Sequence, residues 1–187
     1  GNPPFIGRKY RTPENVVDMR LVWGGAYNVN LDYSTCWHKK SSEYLRYNKS
    51  AAFALVSTNS VCQGEPVAIL FEPLKEAGWR IAFAHRTFAW NAQSTDTAHV
   101  HVIIVGMDQS SDLIHKPLLY TYESIDSKPQ CHQEKHINAY LIGGSDIFIG
   151  KRNTPLSQEL QPASFGAMAN DGGNLIIKSE KEYAQCL

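Results

Sequence analysis

No charge of one sign dominates this chain: 18 Lys and Arg residues offset 18 Asp and Glu residues over 187 positions. A balanced chain sets up no global field to hold a polyanion, so contact with nucleic acid must come from a local patch or from another part of a larger protein. Cysteine is sparse too. Cys36, Cys62, Cys131 and Cys186 are scattered without a CxxC pair, which fits a reducing compartment, the cytoplasm, better than a disulfide framework. No apolar run reaches the roughly 18 residues of a membrane span, and no leader pattern precedes the first apolar residues. Internal repeats and low-complexity tracts are missing as well. What is present, 43% hydrophobic and 11% aromatic residues, is the composition of a folded domain, and the length suits one domain rather than two.

Hydrophobic spacing orders the elements. Residues 1–31 are rich in Gly, Pro and Asn and read as a long loop with a helical turn around Glu14 to Leu21. Asp32 suits an N-cap, and Tyr33, Cys36, Trp37, Tyr44 and Tyr47 then recur at helical spacing. "AAFALVST" at 51–58 is a continuous apolar run, the pattern of a buried strand. Val67, Leu70, Phe71 and Leu74 predict a helix over Gln63 to Ala77, with Gly78 past its end and a kink at Pro73. "WRIAFAHRTFAW" and "HVHVIIVGM" read as two strands joined by a polar loop. Helices alternating with apolar strands predict a mainly parallel sheet with helices on its faces and one antiparallel strand near an edge. Residues 108–187 break into short pieces, "LLYTYE", "INAYLI", "DIFIGKR" and "NLIIK", and read as a β-rich extension; "NDGG" at Asn170 to Gly173 is a hairpin signal.

The quartet Asn2-Pro3-Pro4-Phe5 carries the sharpest chemistry. Asn-Pro starts turns and a double proline stiffens loops, so the four residues by themselves also read as a structural turn. As chemistry, an Asn amide oxygen and a neighbouring backbone carbonyl are two fixed acceptors for the hydrogens of a planar amino group. They orient a nitrogen whose lone pair is otherwise delocalised into its ring. The quartet resembles the [DN]PP[FYW] motif of amino-methyltransferases, whose acceptors include adenine, cytosine, guanine and glutamine amides. "VSTNSVCQGE", "FAHRTFAWNAQSTDTAHVHVIIVGM" and "SFGAMANDGG" follow it in order. The series, running over nearly the whole chain, resembles the bacterial adenine-N6 DNA methyltransferases of the MmeI-like type, where methylation, target recognition and often cleavage share one polypeptide.

That resemblance implies an α/β fold: a partial Rossmann-like methyltransferase sheet, strands five to seven with the last antiparallel, over residues 1–107, then the β-rich extension of 108–187 leading toward a target-recognition domain. It implies S-adenosylmethionine as donor, bound mainly by residues expected before Gly1. Gly24 and Gly25 lack the strand and spacing of a dinucleotide loop. Asn2 and Pro3 would orient the adenine amine, with Pro4 stiffening the loop, while Phe5 and Phe88 would stack on the flipped base. Trp90 competes with Phe88 for that role, and a core phenylalanine is the plain alternative. Arg8, Lys9 and Arg86 lie near these residues in sequence and are candidates for DNA contact. The partner implied is double-stranded DNA, and an open sheet edge beside strand four would favour self-association.

Other chemistry is weaker. "HQEKH" at His132–His136 puts the acid at the third position, where the zinc protease pattern needs it at the second, and with Cys131 it still lacks a fourth ligand, so no metal is expected. His99 and His101 read as a strand pair, and Ser57 and Ser60 have no nucleophile elbow. Two rival functions stay open: methylation of RNA or of a protein amide, and a DNA-binding or interaction module without turnover.

Overall fold

A computed structural model describes residues 1–90, 100–110 and 116–150, and a few positions between 152 and 183. The chain divides into two units, Gly1–Gly150 and Lys151–Leu187. Most of the second unit, including "SFGAMA", the "NDGG" turn, "NLIIK" and Cys186, lies outside the described residues, as do His99 and the side chain of Trp90.

The first helix, α1 (Pro13–Trp23), is longer than one turn because its start is well capped. Thr12 Oγ1 accepts from the Asn15 backbone N–H at 3.3 Å, and Asn15 Oδ1 accepts from the Thr12 backbone N–H at 3.0 Å, with Pro13 in the first turn. Met19 and Trp23, four apart, bury its inner face. The second helix, α2, runs Thr35–Leu45 with Ser34 at its N-cap position, not Asp32. Asp32 instead closes the turn ahead of it: Oδ1 accepts from Ser34 N–H at 2.9 Å, and its carbonyl accepts from Thr35 N–H at 3.0 Å. The buried stripe is Thr35, Cys36, His38 and Ser42, while Tyr44 and Tyr47 of the expected stripe are more than four-fifths exposed.

Strand β1 (Ala52–Thr58) and helix α3 (Glu65–Glu76) follow as expected. Val67, Leu70, Phe71 and Leu74 are all buried, and Gly78 beyond the helix has φ of 88°. Pro73 sits inside α3, which continues to Glu76. Then come β2 (Arg80–Trp90), β3 (Val100–Asp108), β4 (Leu118–Thr121) and β5 (Gln130–Gln133).

The sheet order is β1-β3-β2-β4-β5. β1–β3, β3–β2 and β4–β5 pair antiparallel, and only β2–β4 is parallel. The expected mainly parallel sheet is therefore corrected to a mixed α/β unit whose sheet is mostly antiparallel. The reason is physical: an apolar run reports burial on both faces and carries no information on direction. β3 also lies inside the sheet, between β1 and β2, not at an edge. β4 and β5 extend the same sheet, so the compact unit continues past Met107 to Gly150. "INAYLI" is no strand; it forms a tight turn with the buried Leu141 at φ 55°.

The two faces of the sheet differ. Ile81, Ala84, Ile103, Val105 and Met107 face α3 and join Met19, Trp23, Leu31 and the apolar side of α3 in one core. The opposite face carries Phe83, His85 and Phe88, which pair across β3 with Gly106, Ile104 and Val102. Asp146 ties the segment after β5 to α3, accepting from Lys75 Nζ at 2.8 Å and lying 3.0 Å from His136 Nε2. Burial pushes the Asp146 carboxyl pKa up, but these two partners outweigh it and hold it below its ordinary value.

Candidate functional site

The Asn2–Phe5 quartet is fixed to the sheet by its first neighbour. The backbone nitrogen of Gly1 donates to Ala54 carbonyl at 2.6 Å, and Gly1 carbonyl accepts from Val56 N–H at 2.9 Å. That pair of bonds sets Gly1 opposite Leu55 in parallel register on the free edge of β1. The quartet then continues toward the end of β1 at Thr58. Pro3 is buried, Phe5 is half-buried, and Asn2 and Pro4 are exposed. Among the described residues none bonds the Asn2 side chain, so its amide oxygen is a free acceptor. Downstream the loop is anchored: Ile6 carbonyl accepts from Tyr33 N–H at 3.3 Å and from Arg11 Nε at 3.4 Å, while the Arg11 guanidinium also donates to Leu31 carbonyl. Arg8 and Lys9 stand exposed on the 3-10 turn Arg8–Tyr10 between these anchors.

Phe88 reaches the same end of the sheet from another strand. Thr58 of β1 and Phe88 of β2 both pair with Val102 of β3, so the three form one row. Two strand spacings, about 10 Å, separate the ends of that row. The structure thus brings Phe88 and the quartet to one end of the sheet. Arg86 is exposed beside Phe88, two residues away along β2.

An aromatic cluster that the sequence reading missed supports Phe88. Its ring stacks on Tyr122 with centroids 5.2 Å apart and planes at 22°. His85 stacks on Tyr120 at 4.2 Å and 2°, and its Nδ1 lies 2.8 Å from the Tyr122 hydroxyl. Burial lowers the His85 pKa, favouring the neutral ring. The signal for this cluster was split between "HRTFAW" and "LLYTYE", and only the β2–β4 pairing joins the two.

The histidines of "HQEKH" diverge. His132 Nε2 is 3.0 Å from Thr121 Oγ1, whereas His136 turns to Asp146. Among the described residues no group of three or more His, Cys, Asp and Glu is placed to hold a metal ion. Nor is any described helix long and apolar enough to cross a membrane.

With this geometry in place, comparison with known proteins decides the family. Residues 1–121 match the family described as MmeI, DNA-methyltransferase domain. The chain belongs to that family. It is also 36% identical over 178 residues to DNA methyltransferase A of Bacillus subtilis (strain 168), covering 95% of this chain and 19% of that protein. Among solved structures it resembles the type IIL restriction-modification enzyme MmeI in complex with DNA, with a TM-score of 0.79 and 38% identity, over 84% of this chain and 21% of that one. The chain thus spans about a fifth of the length of these relatives.

A methyl donor needs more than the family name. S-adenosylmethionine binding in a Rossmann-like sheet calls for a Gly-rich turn after one strand and an acid after the next. Among the described residues no such pair occurs: Gly64 follows β1 by way of a 3-10 turn, Asn59–Cys62, and residues 91–99 between β2 and β3 lie outside the described residues. The described residues therefore do not supply both halves of a donor pocket.

Proposed function

We propose that this chain forms the acceptor side of a DNA adenine-N6 methyltransferase that uses S-adenosylmethionine, within a restriction-modification protein. The observation that carries the reading is the docking of Gly1, which leads into Asn2–Phe5, on the edge of β1, with Phe88 across the sheet level with the end of β1. In this reading β1, β2 and β3 correspond to strands five, six and seven of a Rossmann-like methyltransferase sheet. β3 runs against both neighbours, so β1 and β2 point the same way, as that topology requires.

The roles follow from chemistry. Asn2 Oδ1 and the Pro3 carbonyl accept the two hydrogens of the adenine amine and fix its orientation. Pro4 removes backbone freedom from the loop, so little ordering remains to be done when the base arrives. Phe5 and Phe88 hold the flipped ring between apolar surfaces, and the flipped base is what a chemistry buried in the duplex demands. Arg8, Lys9 and Arg86 meet backbone phosphates, which position the duplex without reading its sequence. DNA is favoured over RNA or a protein amide because both similar proteins are named for DNA.

The test is a labelled-methyl transfer assay on the full-length protein with DNA, RNA and protein acceptors, followed by mass analysis of the nucleosides. N6-methyladenine in DNA is the expected product; label confined to RNA or protein, or none at all, refutes the reading. Asn2→Ala is expected to abolish methylation while leaving duplex affinity nearly unchanged, since the amide acts on the reacting amine. Near wild-type turnover in this variant would reduce Asn2 to a turn residue.

A further inference from the structure

We propose that a cleft on the α3 side of the sheet, built around an irregularity in β2, binds a phosphodiester of the DNA strand next to the target nucleotide. The proposal rests on the DNA reading above and adds to it a site. In β2, His85 pairs with Ile104 and Phe88 with Val102. Arg86 and Thr87 therefore stand together opposite the single Ile103, the two-against-one count of a β-bulge, which re-aims side chains. Phe88 returns to the face of His85, while Arg86 and Thr87 both line one cleft of about 400 Å³ with Asn59, Gln63, Tyr140 and Leu141.

The cleft suits an anion. Its lining includes a guanidinium, two amides and two hydroxyls, all able to donate, and no carboxylate. Four other clefts on this unit each carry one: Asp146, Asp18, Glu43 and Asp108. A phosphate entering those would meet negative charge; here it meets a cation and neutral donors. Arg86 is exposed, and the ion pairs of the described residues do not involve it. The far wall is built to hold its shape. Leu141, 2% exposed, is kept at φ 55° by Asn138, whose Oδ1 accepts from Tyr140 N–H at 3.0 Å and whose backbone N–H donates to Ile142 carbonyl at 3.0 Å. A bulky residue stays in that conformation only where its surroundings over-determine it, and such strain collects at ligand walls. One bulge thus sends a base-stacking ring to one face of the strand and a phosphate-binding set to the other.

The experiment uses the full-length protein and duplexes holding its mapped target adenine, each with one uncharged methylphosphonate at a flanking position. The wild type is expected to lose about tenfold in affinity at one of these positions. Arg86→Gln is expected to lose nothing further there, and the slope of log K against log salt should shrink by about 0.9. Gln63→Ala serves as a second variant, expected to weaken binding with the salt slope kept. Arg86→Gln behaving as wild type in both the methylphosphonate series and the salt slope overturns the cleft. Methylation of the unmodified duplex by the wild type is measured alongside: its absence sinks the DNA reading and the cleft together, whereas failure of the cleft alone leaves it intact.

Discussion

Single residues on the sheet and on α2 can be assigned different work, and two of them can be separated by measurement. Phe88 stacks on Tyr122 with ring centroids 5.2 Å apart, and in the proposed reading it also meets the flipped base. Phe88→Ala is expected to weaken retention of a flipped adenine by about 1–3 kcal/mol, the usual worth of one stacking ring, with a smaller effect on duplex binding. A fluorescent adenine analogue at the target position reports this; unchanged flipping in Phe88→Ala with impaired flipping in Trp90→Ala would move the role to Trp90. His38 is a stability residue instead. It is wholly buried, and burial, outweighing a backbone hydrogen bond at Ser34, lowers its pKa to about 4. Between pH 4 and the ordinary His value near 6.5 the unfolded chain binds the extra proton. Stability is therefore complete above about pH 6.5 and declines as pH falls toward 4, by roughly 3 kcal/mol. Urea unfolding at several pH values should show that decline in the wild type and a flatter acid limb in His38→Leu; equal limbs would remove His38 as the cause.

At the scale of elements, the face of the sheet away from α3 depends on one missing side chain. A Cβ added at Gly106 of β3 would come within 2.0 Å of Phe83 Cε1 on β2, which is no tolerable contact. Phe83 lies flat over its partner only because that partner is glycine. Gly106→Ala is expected to destabilise the unit by about 1–3 kcal/mol through overpacking. Much of that loss should disappear in the Phe83→Ala background, where the clash is gone, and thermal unfolding of the four proteins in the cycle measures the coupling. Additive losses would mean that the ring swings away at little cost. The same reasoning explains why α2 was legible as a helix but not in its orientation. Tyr44 and Tyr47 fit a helical stripe as well as Thr35, His38 and Ser42 do, and which stripe turns inward is decided by the elements it meets.

For the whole molecule, the decisive property is how much of an enzyme these 187 residues contain. They carry the Asn2–Phe5 quartet, proposed above to form the acceptor side, but no Gly-rich turn paired with a ribose-binding acid among the described residues. A donor touching one wall keeps most of its surface in water and gains little against its lost freedom. Titration calorimetry of residues 1–187 with S-adenosylmethionine is expected to detect no binding tighter than roughly millimolar, about 4 kcal/mol. Micromolar binding would place a complete donor site within these residues. Self-association is a separate matter: Gly1 occupies the middle of the free β1 edge, while every residue of β5 on the other edge is exposed.

Sequence alone determined the elements whose signal is local. The apolar stripe of α3 and the runs of β1, β2 and β3 depend on neighbours within a turn or two, and each is found near its expected place, whereas α1 exceeds the single turn expected of it. The family was legible for a similar reason: a short ordered series of residues is itself the signal. Tertiary structure decided what depends on residues far apart in the chain. Strand direction and the insertion of β3 between β1 and β2 follow from hydrogen-bond register, which hydrophobicity does not encode. The Phe88–Tyr122 stack and the acid-free cleft at Arg86 exist because a bulge and a parallel pairing bring together residues tens of positions apart, and no window along the chain contains both halves.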